Sequence, residues 1–197
     1  MRKTFLLTVL TAALALPALA GDYILLDDFQ GKGAFRHETV QTSGGKDSVQ
    51  KKGSYLNIVR RGKAFAGMKS VGEKKIDFTK CGSVSVDVRI RKPGEKFDPS
   101  RRVCVTLLQW EGGKNHPWYL NQSLEGVPSD GRWYRVTMPM CEAIFTDATP
   151  PGRDAVYASV VGVGGDMDIE DLVEVDVDNL VAYPEAPEKT TVTPIDK

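Results

Sequence analysis

The sequence predicts an all-β fold, a two-sheet antiparallel β-sandwich of the jelly-roll kind, behind an N-terminal export signal. Three observations predict it. Beyond residue 20 the apolar residues recur with period two or in short runs, and no stretch carries a helical stripe; period two marks a strand with one buried face. Gly, Pro, Asp and Asn punctuate these runs often enough to imply many short strands joined by turns. The stretch Gly21–Lys197 is long enough for one domain with a real core and too short for two comfortable ones.

The first element is not part of the fold. Arg2 and Lys3 give a positive start, Phe5 to Leu16 is almost unbroken apolar sequence, and Ala18-Leu19-Ala20 supplies small residues at the −3 and −1 positions before Gly21. This is the pattern of a cleaved signal peptide at residues 1–20. The apolar run is well short of the ~20 residues a membrane span needs. No cysteine follows the cleavage point, which argues against a lipid anchor. The expected location is therefore secreted or periplasmic, with no membrane span after cleavage. Losing Arg2 and Lys3 moves the formal net charge from 0 to −2, which argues against a general nucleic-acid binder.

Eight strands are expected: Tyr23–Phe29, Tyr55–Arg60, Ser83–Arg91, Val103–Trp110, Trp118–Ser123, Trp133–Met138, Val156–Val163 and Val173–Tyr183. The clearest is Ser83–Arg91. There Val84, Val86, Val88 and Ile90 point one way, and Ser83, Ser85, Asp87, Arg89 and Arg91 the other. Val173, Val175 and Val177 repeat the alternation against Glu174, Asp176 and Asp178. Turns are expected at Gly31–Gly33, Ser43–Asp47, Lys92–Arg102, Glu111–Pro117 and Thr146–Arg153, where Gly and Pro would break a strand. Residues 184–197, with Pro184, Pro187 and Pro194 and little apolar content, read as a disordered tail after a domain at 21–183.

Chemistry-bearing motifs are few. Cys81, Cys104 and Cys141 form no C-x-x-C pair, so a zinc site is not expected; one disulfide would leave one thiol over, and its pairing stays open. Asp166-Met167-Asp168-Ile169-Glu170-Asp171 lacks the glycine and distal glutamate of an EF-hand and reads as an acidic turn. His37 and His116 lie in no metalloprotease motif, and no G-x-S-x-G is present. Many carboxylates exist, but nothing marks a glycosidase pair. Two clusters remain. Trp110, Trp118 and Tyr119 flank the polar loop Glu111–Pro117, so a hairpin there would bring the rings together. Aromatic rings stack on the flat C–H faces of sugars, while Gln109, Asn121 and Gln122 could bond hydroxyls. The competing reading is that one or two of these rings cap the core. Arg89, Arg91, Lys96, Arg101 and Arg102 gather around one loop; they are either a solvated face or a site for an acidic glycan, since Arg pairs carboxylates and sulfates in bidentate fashion.

Three segments carry a resemblance. They are Leu26-Asp27-Asp28-Phe29, Gly131-Arg132-Trp133-Tyr134-Arg135-Val136-Thr137-Met138-Pro139, and Val175-Asp176-Val177-Asp178-Asn179-Leu180-Val181-Ala182-Tyr183. In order and spacing the chain resembles the galactose-binding-like jelly-roll superfamily. It is similar in particular to carbohydrate-binding modules of the family 11 type and to the domain of the complex I intermediate-associated protein. The resemblance implies that Trp133 packs between the sheets. It also implies that Asp28 and Asp178, from the opening and closing strands, help to hold a structural calcium, Ca2+, together with backbone carbonyls; the alternative is two solvated strand-end carboxylates. The expected function is a secreted, non-catalytic carbohydrate-binding module-like domain with a poly- or oligosaccharide as partner, using Trp110, Trp118, Tyr119, Gln109, Asn121, Arg89 and Arg91. The alternatives are a jelly-roll polysaccharide-degrading enzyme and a protein-interaction or structural domain of the cell envelope.

Overall fold

The computed structural model describes residues 23–42, 48–61, 65–95, 99–145, 152–165 and 171–197. The expected signal peptide and residues 166–170 of the expected acidic turn Asp166–Asp171 lie outside the described residues. Among the described residues thirteen strands follow one another: β1 (Ile24–Asp27), β2 (Phe35–Thr42), β3 (Ser48–Lys52), β4 (Tyr55–Arg61), β5 (Phe65–Ile76), β6 (Ser83–Lys92), β7 (Arg102–Glu111), β8 (Lys114–Ser123), β9 (Trp133–Pro139), β10 (Ile144–Phe145), β11 (Val156–Gly164), β12 (Leu172–Tyr183) and β13 (Thr191–Ile195). Their pairings are antiparallel and make two sheets. The first runs β13-β9-β6-β12-β4-β3, with β1 also on β12; the second runs β10-β8-β7-β11-β5-β2. The predicted β-sandwich is the observed architecture.

Strand alternation builds the core. In the first sheet Val84, Val86, Val88 and Ile90 of β6, Val173, Val175 and Val177 of β12, and Leu56 and Ile58 of β4 are buried. They pack with Val103, Val105 and Leu107 of β7, Trp118 and Leu120 of β8, and Val161 and Val163 of β11 from the second sheet. The intervening residues of these strands therefore face outward. β12 is long enough to pair β4 through Leu172–Val177 and β1 through Leu180–Ala182 on one flank, and β6 on the other. Between these stretches its register shifts, and Asn179 adopts φ 44° there.

Five of these strands, β2, β3, β5, β10 and β13, were not expected, and the readings of one loop, the tail and Trp133 need correction. β5 was not expected, because its inward positions are Ala66, Met68 and Ser70 and its outward ones include Gly67 and Lys69; small and polar residues conceal the alternation. The loop 111–117 shrinks to a two-residue turn, Gly112-Gly113, with φ 57° and 80°. Positive φ at both central positions is what a tight hairpin turn requires. Residues 184–197 are not disordered throughout: Thr191–Ile195 pairs with Trp133–Thr137 as an edge strand. Pro194 is tolerated because an edge strand can leave the N–H side of its ladder unused. Trp133 is 8% exposed but does not lie between the sheets. Its neighbours Tyr134 and Val136 face the core, and Tyr134 opposes Val88, so Trp133 falls on the outer face of the first sheet.

Candidate functional site

The register of the second sheet sorts its outward residues into rows across the strands. One row is Thr39, Lys69, Val160, Thr106, Tyr119 and Ile144. The next is Gln41, Gly67, Gly162, Cys104 and Asn121. A third is Phe65, Gly164, Arg102 and Ser123. The middle row has two glycines where side chains would stand, and the Phe65 ring lies over them. Beside this ring is a groove of about 510 Å³, lined by Phe65, Arg102, Cys104, Thr106, Tyr119, Asn121 and Ile144 with Gly164 and Gly165.

The glycines are required by close approach rather than by unusual dihedrals. A Cβ on Gly67 would come within 2.3 Å of the Val161 carbonyl oxygen and 2.8 Å of Phe65 Cζ. One on Gly162 would come within 2.3 Å of the Ala66 oxygen and 2.6 Å of the same ring carbon. The Phe65 ring thus lies across two neighbouring strands on a glycine bed. Tyr119 stands on the other side of the groove, with Asn121 two residues on along β8. Two rings facing a shallow groove, with an amide, a hydroxyl and a guanidinium between them, can stack on a sugar and bond its hydroxyls.

The same face continues toward the β7–β8 turn. Trp110 has the outward parity of Thr106, is 49% exposed, and opposes Asn115. Tyr157 donates its hydroxyl to Asn115 Oδ1 at 2.6 Å. Trp110 and Tyr157 line a second cleft, of about 310 Å³, with Lys74 and Lys75.

The predicted site residues therefore divide. Tyr119 and Asn121 meet in the groove, and Trp110 stands farther along the same face. Trp118 does not join them: it is 0% exposed, packs edge-on against Phe145 at 6.2 Å, and belongs to the core. Adjacent residues of a strand point to opposite faces, so Tyr119 outward forces Trp118 inward. Gln109 is buried too, donating to Glu111 Oε2 at 3.1 Å and to Asp154 Oδ1 at 3.4 Å while accepting from the Ala155 N–H. It ties the hairpin to the start of β11.

Arg89 and Arg91 belong to the opposite surface of the sandwich, the outer face of the first sheet. Both donate to Asp176 Oδ2, from Arg89 Nη2 at 2.6 Å and from Arg91 Nε at 2.5 Å, and Asp176 is buried beneath them. Asn57 donates to its other oxygen at 2.8 Å. Trp133 carries the Arg89 guanidinium at 4.6 Å and the Lys197 ammonium at 4.3 Å from its ring centroid. Lys197 also bonds Asp87 and Asp178, and Arg135 bonds Asp87 at 2.9 Å. Burial works against the Asp87 charge, but the donors from Arg135, Asn179 and Lys197 prevail and hold its pKa below the usual carboxylate range. Arg101 pairs with Asp171 at 3.5 Å and lines a different pocket, with Ile90 and Leu124. The arginine cluster read from the sequence is thus dispersed over separate places.

The carboxylates expected to hold calcium have other partners. Asp28 Oδ1 accepts the N–H groups of Gln30 at 2.9 Å and Lys32 at 2.8 Å, which closes the loop after β1. Asp178 accepts the Asn179 N–H at 2.8 Å and the Lys197 ammonium at 2.7 Å. Among the described residues no group of three or more His, Cys, Asp or Glu side chains is placed to hold a metal ion. Asp178 is thus held by an ammonium and Asp28 by two backbone N–H groups. Cys81, buried, and Cys141, exposed, are not joined to one another or to Cys104 by a disulfide.

No family model matches the chain, and no curated protein matches it. Solved structures do. The family 11 carbohydrate-binding module of the cellulosomal cellulase Lic26A-Cel5E of Clostridium thermocellum superposes with a TM-score of 0.56 at 16% identity, over 86% of this chain and 98% of that one. The fold is that of a family 11-like carbohydrate-binding module. A family 11 module from Clostridium thermocellum in complex with a β-1,3-1,4-mixed-linked tetrasaccharide gives 0.54 at 17% identity, over 84% of this chain and 98% of its own. An agarase matches at 0.52 and 10% identity, over 85% of this chain but 25% of its own. The family 11-like fold thus spans nearly all of each solved module and only a part of the enzyme. Phe65 is the functional candidate that sequence reading missed. Its place depends on Gly162, far along the chain, and no local signal reports that.

Proposed function

We propose that this protein is an exported, non-catalytic carbohydrate-binding module whose ligand lies in the groove on the outer face of the second sheet. The observation that carries this reading is the pairing of Phe65, seated on Gly67 and Gly162, with Tyr119 in one groove that also holds Arg102, Thr106 and Asn121. The family 11-like fold supports it, since a structural neighbour holds a mixed-linked tetrasaccharide.

The test is a binding screen by affinity electrophoresis and calorimetry, with mixed-linked β-glucan and acidic polysaccharides in parallel and a reducing-end assay alongside. Tyr119→Ala and Phe65→Ala should each lose about 30-fold in affinity, the equivalent of a stacked hot spot of roughly 2 kcal/mol. Arg91→Ala, on the opposite face, should bind as wild type. The reading fails if no polysaccharide binds, or if both aromatic variants stay folded and bind like wild type. Release of reducing ends would convert it into the enzyme alternative.

A further inference from the structure

The two outer faces of the sandwich treat their cations differently. On the first sheet Arg89 and Arg91 share Asp176, Arg135 has Asp87, and Lys197 has Asp87 and Asp178. On the second sheet the side chains of Lys69, Lys74 and Lys75 make no hydrogen bond or ion pair with any described residue. Lys69 stands in the row of Thr106 and Tyr119, two strands from Thr106. At the spacing of sheet strands that puts its backbone ~10 Å from the groove wall. Lys74 and Lys75 line the cleft with Trp110 and Tyr157. The carboxylate in that cleft, Glu73, faces His37 at 3.9 Å. Arg102 adds a guanidinium to the groove itself.

From this distribution we infer that the ligand is an anionic glycan, carrying carboxylate or sulfate groups, which runs from the Phe65–Tyr119 groove past Lys69 to the Trp110–Tyr157 cleft. The inference rests on the proposed carbohydrate-binding function and names its substrate class. Along β7, Thr106 and Trp110 are separated by ~13 Å of strand, so the two aromatic stations suit a chain of several sugars rather than one. An anionic chain is the ligand that this face complements: rings supply stacking for the pyranose faces, and lysines supply the counter-charge that the sheet withholds. The mature chain is net acidic, so an anion is drawn to this face and not to the protein at large.

The experiment measures the full mature chain against polygalacturonate, dextran sulfate and neutral mixed-linked β-glucan at about 50 and about 500 mM NaCl. Polygalacturonate or dextran sulfate should bind at least about tenfold more tightly than β-glucan at low salt and lose most of that advantage at high salt. Which of the two binds better identifies the anionic group. The triple variant Lys69→Gln, Lys74→Gln, Lys75→Gln changes exposed or half-exposed side chains without described partners. It should melt within about 2 °C of wild type, yet bind the anionic polymer about tenfold less tightly with a flatter salt response. The inference is overturned if β-glucan binds best and salt has no effect, or if the triple variant binds the anionic polymer like wild type. Either result leaves the carbohydrate-binding function standing. Absence of binding to all three overturns both.

Discussion

Asp27 offers a direct test of how the two sheets are joined. Its carboxyl is fully buried at the end of β1, where Oδ1 accepts the Phe29 N–H at 2.6 Å and Oδ2 accepts the Ser70 hydroxyl of β5. Phe29 sits at φ 54° with its ring in the core, a backbone state that a bulky residue seldom adopts. Burial raises the Asp27 pKa from 3.8 to about 6, against the lowering effect of these two hydrogen bonds. The sign follows from linkage. Between the two pKa values the folded state binds more protons than the unfolded state, so stability falls as pH rises from about 4 through about 6. A shift of roughly two units is worth about 3 kcal/mol, or about 6–12 °C in Tm for a domain of this size. Asp27→Asn keeps an acceptor for the Phe29 N–H and a donor for Ser70, and it removes the titration. Thermal melts of both proteins from pH 4 to 7.5 should show the variant gaining about 6–12 °C on wild type across the series. Asp178, whose pKa burial also raises, contributes to both proteins and cancels. Asp87, with its pKa lowered, loses stability only on further acidification below the usual carboxylate range. Parallel melting curves would refute the buried-carboxyl argument.

Two further outcomes are expected. Trp118→Ala should cost about 3–5 kcal/mol of stability, as emptying an aromatic core position does, and urea unfolding followed by far-UV circular dichroism measures it; unchanged stability with lost glycan binding would return Trp118 to the site. Calcium should leave Tm unchanged relative to EDTA, because Asp28 and Asp178 are engaged by N–H groups and Lys197. A calcium-dependent rise that Asp178→Asn abolishes would restore the expected ion, since a ligand bound only to the native state raises Tm by mass action.

The sandwich was legible where alternation is strong. β6 and β12 announce themselves through valines at every second position. β5 does not, because glycines and lysines occupy its outward face, and β13 does not, because an edge strand needs neither an apolar face nor freedom from proline. The site was legible only as residue types. Alternation puts Arg89 and Arg91 on a wet face, but each sheet has one, and only strand order assigns them to the first. Trp118-Tyr119 contains one outward ring and one inward ring; which is which depends on the register with Leu107 and Thr106. Phe65 needed a glycine pair contributed by two strands that are distant in sequence and adjacent in space.

Counting aromatics does not distinguish the two outer faces, since Tyr55 and Trp133 decorate the first as Phe65, Tyr119, Trp110 and Tyr157 decorate the second. What distinguishes them is who occupies the rings. Trp133 is covered by Arg89 and Lys197 and edged by Tyr55 at 5.7 Å, and each of those cations is held by an aspartate that is almost fully buried. Such a stack is satisfied internally, and a sugar would have to break cation–π contacts and ion pairs to reach the ring. Phe65 instead lies on glycine, and Trp110 stands half exposed beside lysines with no described partner. A half-exposed tryptophan offers apolar surface for a ligand to cover, and the lysines offer positive charge for an anion. The surface that the fold fails to complete for itself is therefore the one to which the binding function is assigned.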